Sequence, residues 1–198
     1  MPRSDVSEER KGQIISAALE VFSSKGLDKA RMDDIAEKSG MSKGALYWYF
    51  SGKDDLIIAI LDSLFGYHLK DLRHLVLLDT SAEERLWIFI VESLKDLRSM
   101  QKLMPLTYEF YALAFRHQAV RKAMKHYLQA YLEILEPIIE QGVKRGEFVS
   151  IDPHSAAIAA GAIFEGTLLL WIYDPDQVDL EHNIRNGFKT FLKGMKSK

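Results

Sequence analysis

Two lysines and two tyrosines stand close together in the stretch SGMSKGALYWYFSGKDDL, residues 39–56: Lys43, Tyr47, Tyr49 and Lys53. An ammonium can bind a phosphate or the edge of a guanine. A tyrosine can give its hydroxyl to a phosphate and its ring to a sugar or a thymine methyl. A hydrophobic core has no use for the lysines, and a solvated surface has no use for consecutive rings at Tyr47, Trp48, Tyr49 and Phe50. Lys43 is followed by Gly44 and Ala45. The first turn of a helix favours acids, because the helix dipole is positive there. A lysine and two small side chains make a poor helix start, but they leave the backbone open to a DNA groove. The same residues also fit an ordinary helical hairpin with its rings in a core and its lysines in water, and spacing alone leaves both readings open.

Those side chains can act only if short helices present them. Residues 32–39 read as a helix with Ile35 and Ala36 inward. Gly40 supplies the positive φ of a tight turn, Met41 packs inward, and Ser42 caps the next helix. That helix runs over 43–49, with Leu46 and Phe50 inward and Tyr47 and Tyr49 facing elsewhere. A first helix over 8–25 carries Ile14, Ala18 and Phe22 beside Ile15 and Leu19 at helical spacing, and Gly26 ends it. Ser51 and Asp54 fit a capping box for a fourth helix, in which Leu56, Ile57, Ile60, Leu61 and Leu64 keep the helical period. Lys53 sits in that helix's first turn, where backbone N–H groups and the ammonium can share one phosphate. The order of a short helix, a glycine turn and a capped second helix is that of a helix-turn-helix.

Further helices follow at about 82–102, 105–116, 119–145, 154–173 and 180–195, with Pro137 expected to kink the third of these. No window shows sustained strand alternation. The expected fold is all-α with about nine helices. An N-terminal three-helix helix-turn-helix domain covers 7–53, and a larger helical domain covers 54–198.

The stretch RMDDIAEKSGMSKGALYWYFSGKDDL, residues 31–56, resembles the DNA-binding signature of the TetR family of transcriptional regulators. Its pattern is roughly T-x-x-x-I-A-x-x-A-G-V-S-x-G-x-L-Y-x-Y-F-x-x-K-x-x-L. The resemblance implies that Lys43, Gly44, Ala45 and Tyr47 meet bases or the groove and that Tyr49 and Lys53 clamp phosphate. Asp33 matches a position sometimes used for base contact. Arg31 stands where the family usually has threonine, which removes a cap from the second helix and offers a guanidinium to the DNA backbone. The family implies a homodimer on a palindromic double-stranded operator, with recognition helices about one DNA turn (roughly 34 Å) apart. Repression is its usual mode. A small molecule bound among the later helices would shift the fourth helix and change that spacing.

Composition permits this reading without demanding it. The chain has 198 residues, a net charge of −2 and no cysteine, so disulfides, a thiol nucleophile and cysteine-held zinc are excluded. Residues 1–53 hold nine Lys or Arg against eight Asp or Glu, leaving 17 against 20 in the rest, the sign expected if only the N-terminal part meets phosphate. The N-terminus is polar, with no apolar stretch for a signal peptide, and a cytoplasmic location is expected.

The remaining helices suggest a sensor. MPLTYEFYALAF, 104–115, carries Met104, Tyr108, Glu109, Tyr111 and Phe115, and later helices add Tyr127, Tyr131, Phe164, Glu165 and Trp171. Rings of this density suit an apolar or cationic effector, with Glu109 and Glu165 able to balance a cation. Core packing is the alternative for each ring. The stretch YEFYALAFRHQAVRKAM loosely resembles the choline-sensing branch of the same family. AAIAAGAIFEGTLLLWIY, 156–173, is apolar all round and of membrane-span length, but Glu165 and two glycines argue for a buried helix and no membrane partner. The family places its dimer interface on this segment and the last helix. Ala157, Ala160 and Gly161 would allow close approach, and Ile184, Phe188, Phe191 and Leu192 would line it.

Two rival classes remain. An enzyme would need a constellation that the sequence lacks: the six histidines make no H-E-x-x-H or comparable metal spacing, and no glycine-rich phosphate loop follows a strand. No catalytic residue, metal or cofactor is therefore expected. An interaction protein, whose C-terminal domain docks a protein partner instead of a small molecule, would show an exposed apolar patch in place of an internal site.

Overall fold

The computed structural model describes residues 3–63, 67–100 and 104–197. Leu64 lies outside them, and so does the side chain of Met104. The described residues form ten α-helices and one 3-10 turn, with no strand. They divide into two compact units, Met1–Tyr67 with Met100–Tyr127 and His68–Ser99 with Leu128–Lys198. One later helix and the start of another thus pack with the N-terminal helices.

The first unit holds α1 (Arg3–Lys25), α2 (Met32–Ser39), α3 (Lys43–Tyr49), α4 (Lys53–Leu61), α7 (Met104–Ala114) and the start of α8 (Gln118–Lys144). Its core is built from the residues that kept the helical period: Ile14, Phe22, Ile35, Leu46, Leu56, Ile57 and Ile60, all sealed from solvent. Gly26 closes α1 in the left-handed region at φ +76, donating its N–H to Phe22 O at 2.8 Å. The capping of α4 differs in detail from the expected S-x-x-D box. Gly52 is the N-cap, one residue later, so the acid at the third helical position is Asp55. Asp55 accepts from the N–H and hydroxyl of Ser51 at 2.9 and 3.2 Å.

The second unit holds α5 (Tyr67–Leu72), the 3-10 turn (Arg73–Leu77), α6 (Ala82–Met100), the rest of α8, α9 (Pro153–Tyr173) and α10 (Leu180–Met195). The helix assignment of α8 continues through Pro137. Asp152 caps α9, accepting from Ser155 N at 2.9 Å, with Pro153 in the first turn. α10 ends near the α8–α9 turn, where Val149 N donates to Met195 O at 2.8 Å. Arg85 of α6 is fully buried and donates from Nη1 to Val76 O and Gln141 Oε1 at 3.2 and 2.9 Å. Burial lowers its pKa from the ordinary arginine value.

α9 is long and apolar enough to cross a membrane by length and composition. Within the chain only Ala156, Ala157, Ala160 and Leu168 of this helix are buried, so it is not the enclosed helix its composition suggested. Ile158, Leu170 and Tyr173 stand exposed. A helix that is apolar all round yet half uncovered offers its outer face to a second surface.

Candidate nucleic-acid interface and aromatic groups

α2 and α3 present the charged residues through local capping. At the start of α2 the side chain of Asp34, the third helical residue, reaches back to the N-cap, accepting from Arg31 N at 2.9 Å and from Lys25 Nζ at 2.8 Å. The hydrogen bond from Lys25, followed by that from the Arg31 backbone, lowers the Asp34 pKa. Gly40 ends α2 at φ +67, and Ser42 Oγ accepts from Ala45 N at 3.2 Å to cap α3. Gln13 Nε2 donates to Ser39 O at 2.8 Å, fastening α1 to the end of α2.

The first turn of α3 is open. Lys43, Gly44 and Ala45 are exposed, while Leu46 is fully buried behind them. No atom outside its own helix lies within 4 Å of where a Gly44 side chain would begin. Lys43 pairs with Asp33 at 2.7 Å, and that hydrogen bond raises the Lys43 pKa. Asp33 is therefore the counter-ion of Lys43 in this structure. Tyr47 is exposed, Tyr49 is half-buried, and Arg31 is exposed. Trp48 was given no role from sequence, yet it is 75% exposed and meets Tyr49 edge-on at 4.6 Å between ring centres. Its only sequence signal was its place among neighbouring rings, since solvent exposure of so large a ring is uncommon. Lys53 points inward: its ammonium donates to Leu27 O at 2.7 Å and to Ala30 O at 3.4 Å.

The aromatic residues fall into separate groups. In the first unit Tyr108 and Tyr111 meet edge-on at 5.5 Å, while Phe115 is 84% exposed. Glu109 is turned to the segment between α1 and α2, where it accepts from Leu27 N at 2.8 Å. Tyr127 of α8 donates to Asp62 Oδ1 at 2.5 Å, and burial together with that bond pushes its phenol pKa up. In the second unit Tyr131 donates to Ala157 O at 2.8 Å and meets Phe89 edge-on at 5.7 Å. Burial, then the charge of Glu165, pushes the Tyr131 pKa up. Phe164 and Trp171 are half-buried, and Glu165 is exposed. The small residues of α9 face their own chain. Ala157 and Ala160 are buried, and a side chain on Gly161 would stand 3.2 Å from the Tyr131 hydroxyl. Ile184, Phe188 and Leu192 of α10 are likewise buried within the chain, and Phe191 is half-buried.

With this geometry in place, comparison with known proteins is decisive at the family level. Residues 14–60 match the bacterial regulatory proteins of the tetR family, and residues 82–191 match the C-terminal domain of BetI-type transcriptional repressors. The chain belongs to the TetR family. Its TetR signature region runs from the buried face of α1 through α4 and so contains every residue of the open α3 surface. Among TetR-like relatives, the HTH-type transcriptional regulator TtgR of Pseudomonas putida is 28% identical over 94% of this chain and 91% of its own length. The TetR fold is shared with a TetR transcription regulator from Haloarcula marismortui, at TM-score 0.84 and 20% identity over 96% of this chain and all of that one. It is shared also with FadR from Bacillus subtilis in complex with stearoyl-CoA, at TM-score 0.79 and 24% identity over 92% of this chain and 98% of that one.

Proposed function

We propose that this TetR-family regulator is a dimeric, ligand-responsive repressor that binds a palindromic operator through Arg31, Lys43, Gly44, Ala45, Tyr47, Tyr49 and Lys53. The observation that carries the reading is the open first turn of α3, where an exposed lysine and two small residues stand over a sealed Leu46. Such a surface lets a helix N-terminus enter a major groove. Selecting duplexes from a random pool with the purified protein tests it: enrichment of a two-fold symmetric sequence is the expected result, and no enrichment at low salt sinks the reading.

Lys53 has two roles in this proposal. Two of its three ammonium donors serve Leu27 and Ala30, and the third is left for a phosphate. Lys53→Ala is expected to weaken binding on all duplexes alike and to lower the slope of log affinity against log salt by about one. An unchanged slope in a salt titration would remove the phosphate role and leave Lys53 with its carbonyl bonds alone.

The dimer is proposed to form on the outer stripe of α9, because its small residues Ala157, Ala160 and Gly161 face their own chain while Ile158, Leu170 and Tyr173 remain uncovered. Leu170→Lys places a charge in that stripe and is expected to convert a dimer to a species of 22.6 kDa in sedimentation. A variant that sediments as the wild type does would clear α9 of that role.

The effector is proposed to be a small apolar or cationic molecule taken up by the helices after residue 53. Its ring-rich helices support this, as does the binding of stearoyl-CoA by the FadR of similar fold. Glu165 is the acid proposed to balance a cation, while Glu109 accepts from Leu27 N. An effector that favours one dimer shape, with typical coupling, would weaken operator binding by about 5–150-fold. A protein partner in place of the small molecule is the second reading, favoured by the exposed Phe115 and Leu77.

A further inference from the structure

Leu27 is held through both of its backbone polar groups. Its N–H donates to Glu109 Oε2 of α7 at 2.8 Å, and its carbonyl accepts from Lys53 Nζ of α4 at 2.7 Å. Leu27 lies in the turn after Gly26, which links α1 to α2, and its side chain is buried. The turn's own backbone bonds use Gly26 N and Ala30 N, so the Leu27 amide is left for a side chain. Glu109 comes from 82 positions away in sequence to supply it. Its carboxylate also stands 3.9 Å from where a side chain on Gly26 would begin.

We infer that Glu109 is a positioning residue for DNA recognition: it ties α7 to the α1–α2 turn and so holds the helix-turn-helix in its binding orientation. The inference rests on the DNA-binding reading above. The helix-turn-helix follows the turn as one piece, because Gln13–Ser39, Lys25–Asp34 and Lys38–Glu20 bind α1 to α2. The tie is short-ranged. A displacement of α7 by 1–2 Å, typical of helix shifts in switching proteins, breaks a bond of this length. The half-buried pair Tyr108 and Tyr111 sits on either side of Glu109 along the same helix. Whatever moves those rings moves the carboxylate that holds Leu27. Glu109 thus reports the state of α7 to the headpiece, where the sequence suggested contact with the effector itself.

Two variants of the full-length protein test this. Glu109→Gln keeps an acceptor oxygen at the same reach, and Glu109→Ala removes it. In hydrogen exchange without DNA, Glu109→Ala is expected to speed exchange of the Leu27 amide by about 10-fold, with no change elsewhere in α2 and α3. On the duplex selected by the wild type, it is expected to bind about 5–30-fold more weakly with the same salt slope, because no phosphate contact is lost. Glu109→Gln is expected to recover most of both losses. Unchanged Leu27 exchange in Glu109→Ala would overturn the tie. Faster exchange with wild-type affinity would overturn the positioning role, and a lowered salt slope would do the same by making Glu109's effect a matter of lost phosphate contacts. Failure of the wild type itself to select any duplex overturns the DNA-binding reading and this inference together, a result distinct from failure of the variants alone.

Discussion

Gly44→Glu is expected to abolish specific DNA binding while leaving the protein at least as stable as the wild type. Gly44 is the second residue of α3, and space beyond its Cα is open to 4 Å. A side chain there meets nothing in the free protein. Replacing glycine inside a helix restores propensity, and an acid in the first turn interacts favourably with the helix dipole. Both effects act to raise stability. Against DNA the same carboxylate would lie among phosphates and base edges, where like charges facing each other cost several kcal/mol. The affinity is expected to fall by at least about 100-fold. Gly44→Ala, which adds bulk without charge, should fall between the two. The measurements are a thermal melt and a binding isotherm on the selected duplex. Wild-type binding by Gly44→Glu would take α3 out of the groove, whatever the family resemblance implies. A loss of binding accompanied by a loss of stability would assign Gly44 to the fold.

The opening of α3 was legible in the sequence because its causes are local. Gly40 and Ser42 act within four residues of where they stand, and the inward period of Leu46 and Phe50 fixes which side is left outside. Asp34 shows the limit of that locality. It reaches back to the N–H of Arg31 at the start of α2, and Lys25 reaches across from α1 to help hold it. Glu109 and Lys53 were opaque for a different reason. Their partners are the amide and carbonyl of Leu27, 82 and 26 positions away, and backbone groups carry no sequence signature. An acid among rings reads as a cation site until the docking of its helix shows which way it points.

α9 was opaque because its apolar residues have no period. A stripe can be read only when a polar face contrasts with it. Ala157, Ala160 and Gly161 have the size for any close contact, and they are turned to their own chain, Ala157 and Gly161 against Tyr131. The exposed residues of the helix are larger, Ile158, Leu170 and Tyr173, and these have area to bury against another surface. The BetI-type match over 82–191 covers this helix but does not say which of its faces is used.

The largest loss of stability is expected at Gly142, late in α8. A Cβ there would overlap the Phe148 ring at Cδ2 and Cε2 and stand 2.7 Å from Ala82 Cβ. Neither neighbour can yield easily. Phe148 is buried, and its backbone N–H donates to Gly142 O at 3.2 Å, so ring and helix are fixed to one another. Ala82 is held by its own N–H, which donates to Glu147 Oε2 at 2.6 Å. The site joins the start of α6, the end of α8 and, through Val149 and Met195, the end of α10. Gly142→Ala is therefore expected to cost about 1–3 kcal/mol, the range for overpacking. In a chain of this size that lowers Tm by about 3–10 °C. Phe148→Leu alone also destabilises, by removing buried ring atoms. In the double variant the shorter side chain makes room for the new methyl, so the two losses should combine to less than their sum by about 1 kcal/mol. Strict additivity in thermal melts of the four proteins would mean that α8 shifts to relieve the overlap, and that the junction of α6, α8 and α10 is softer than its close contacts imply.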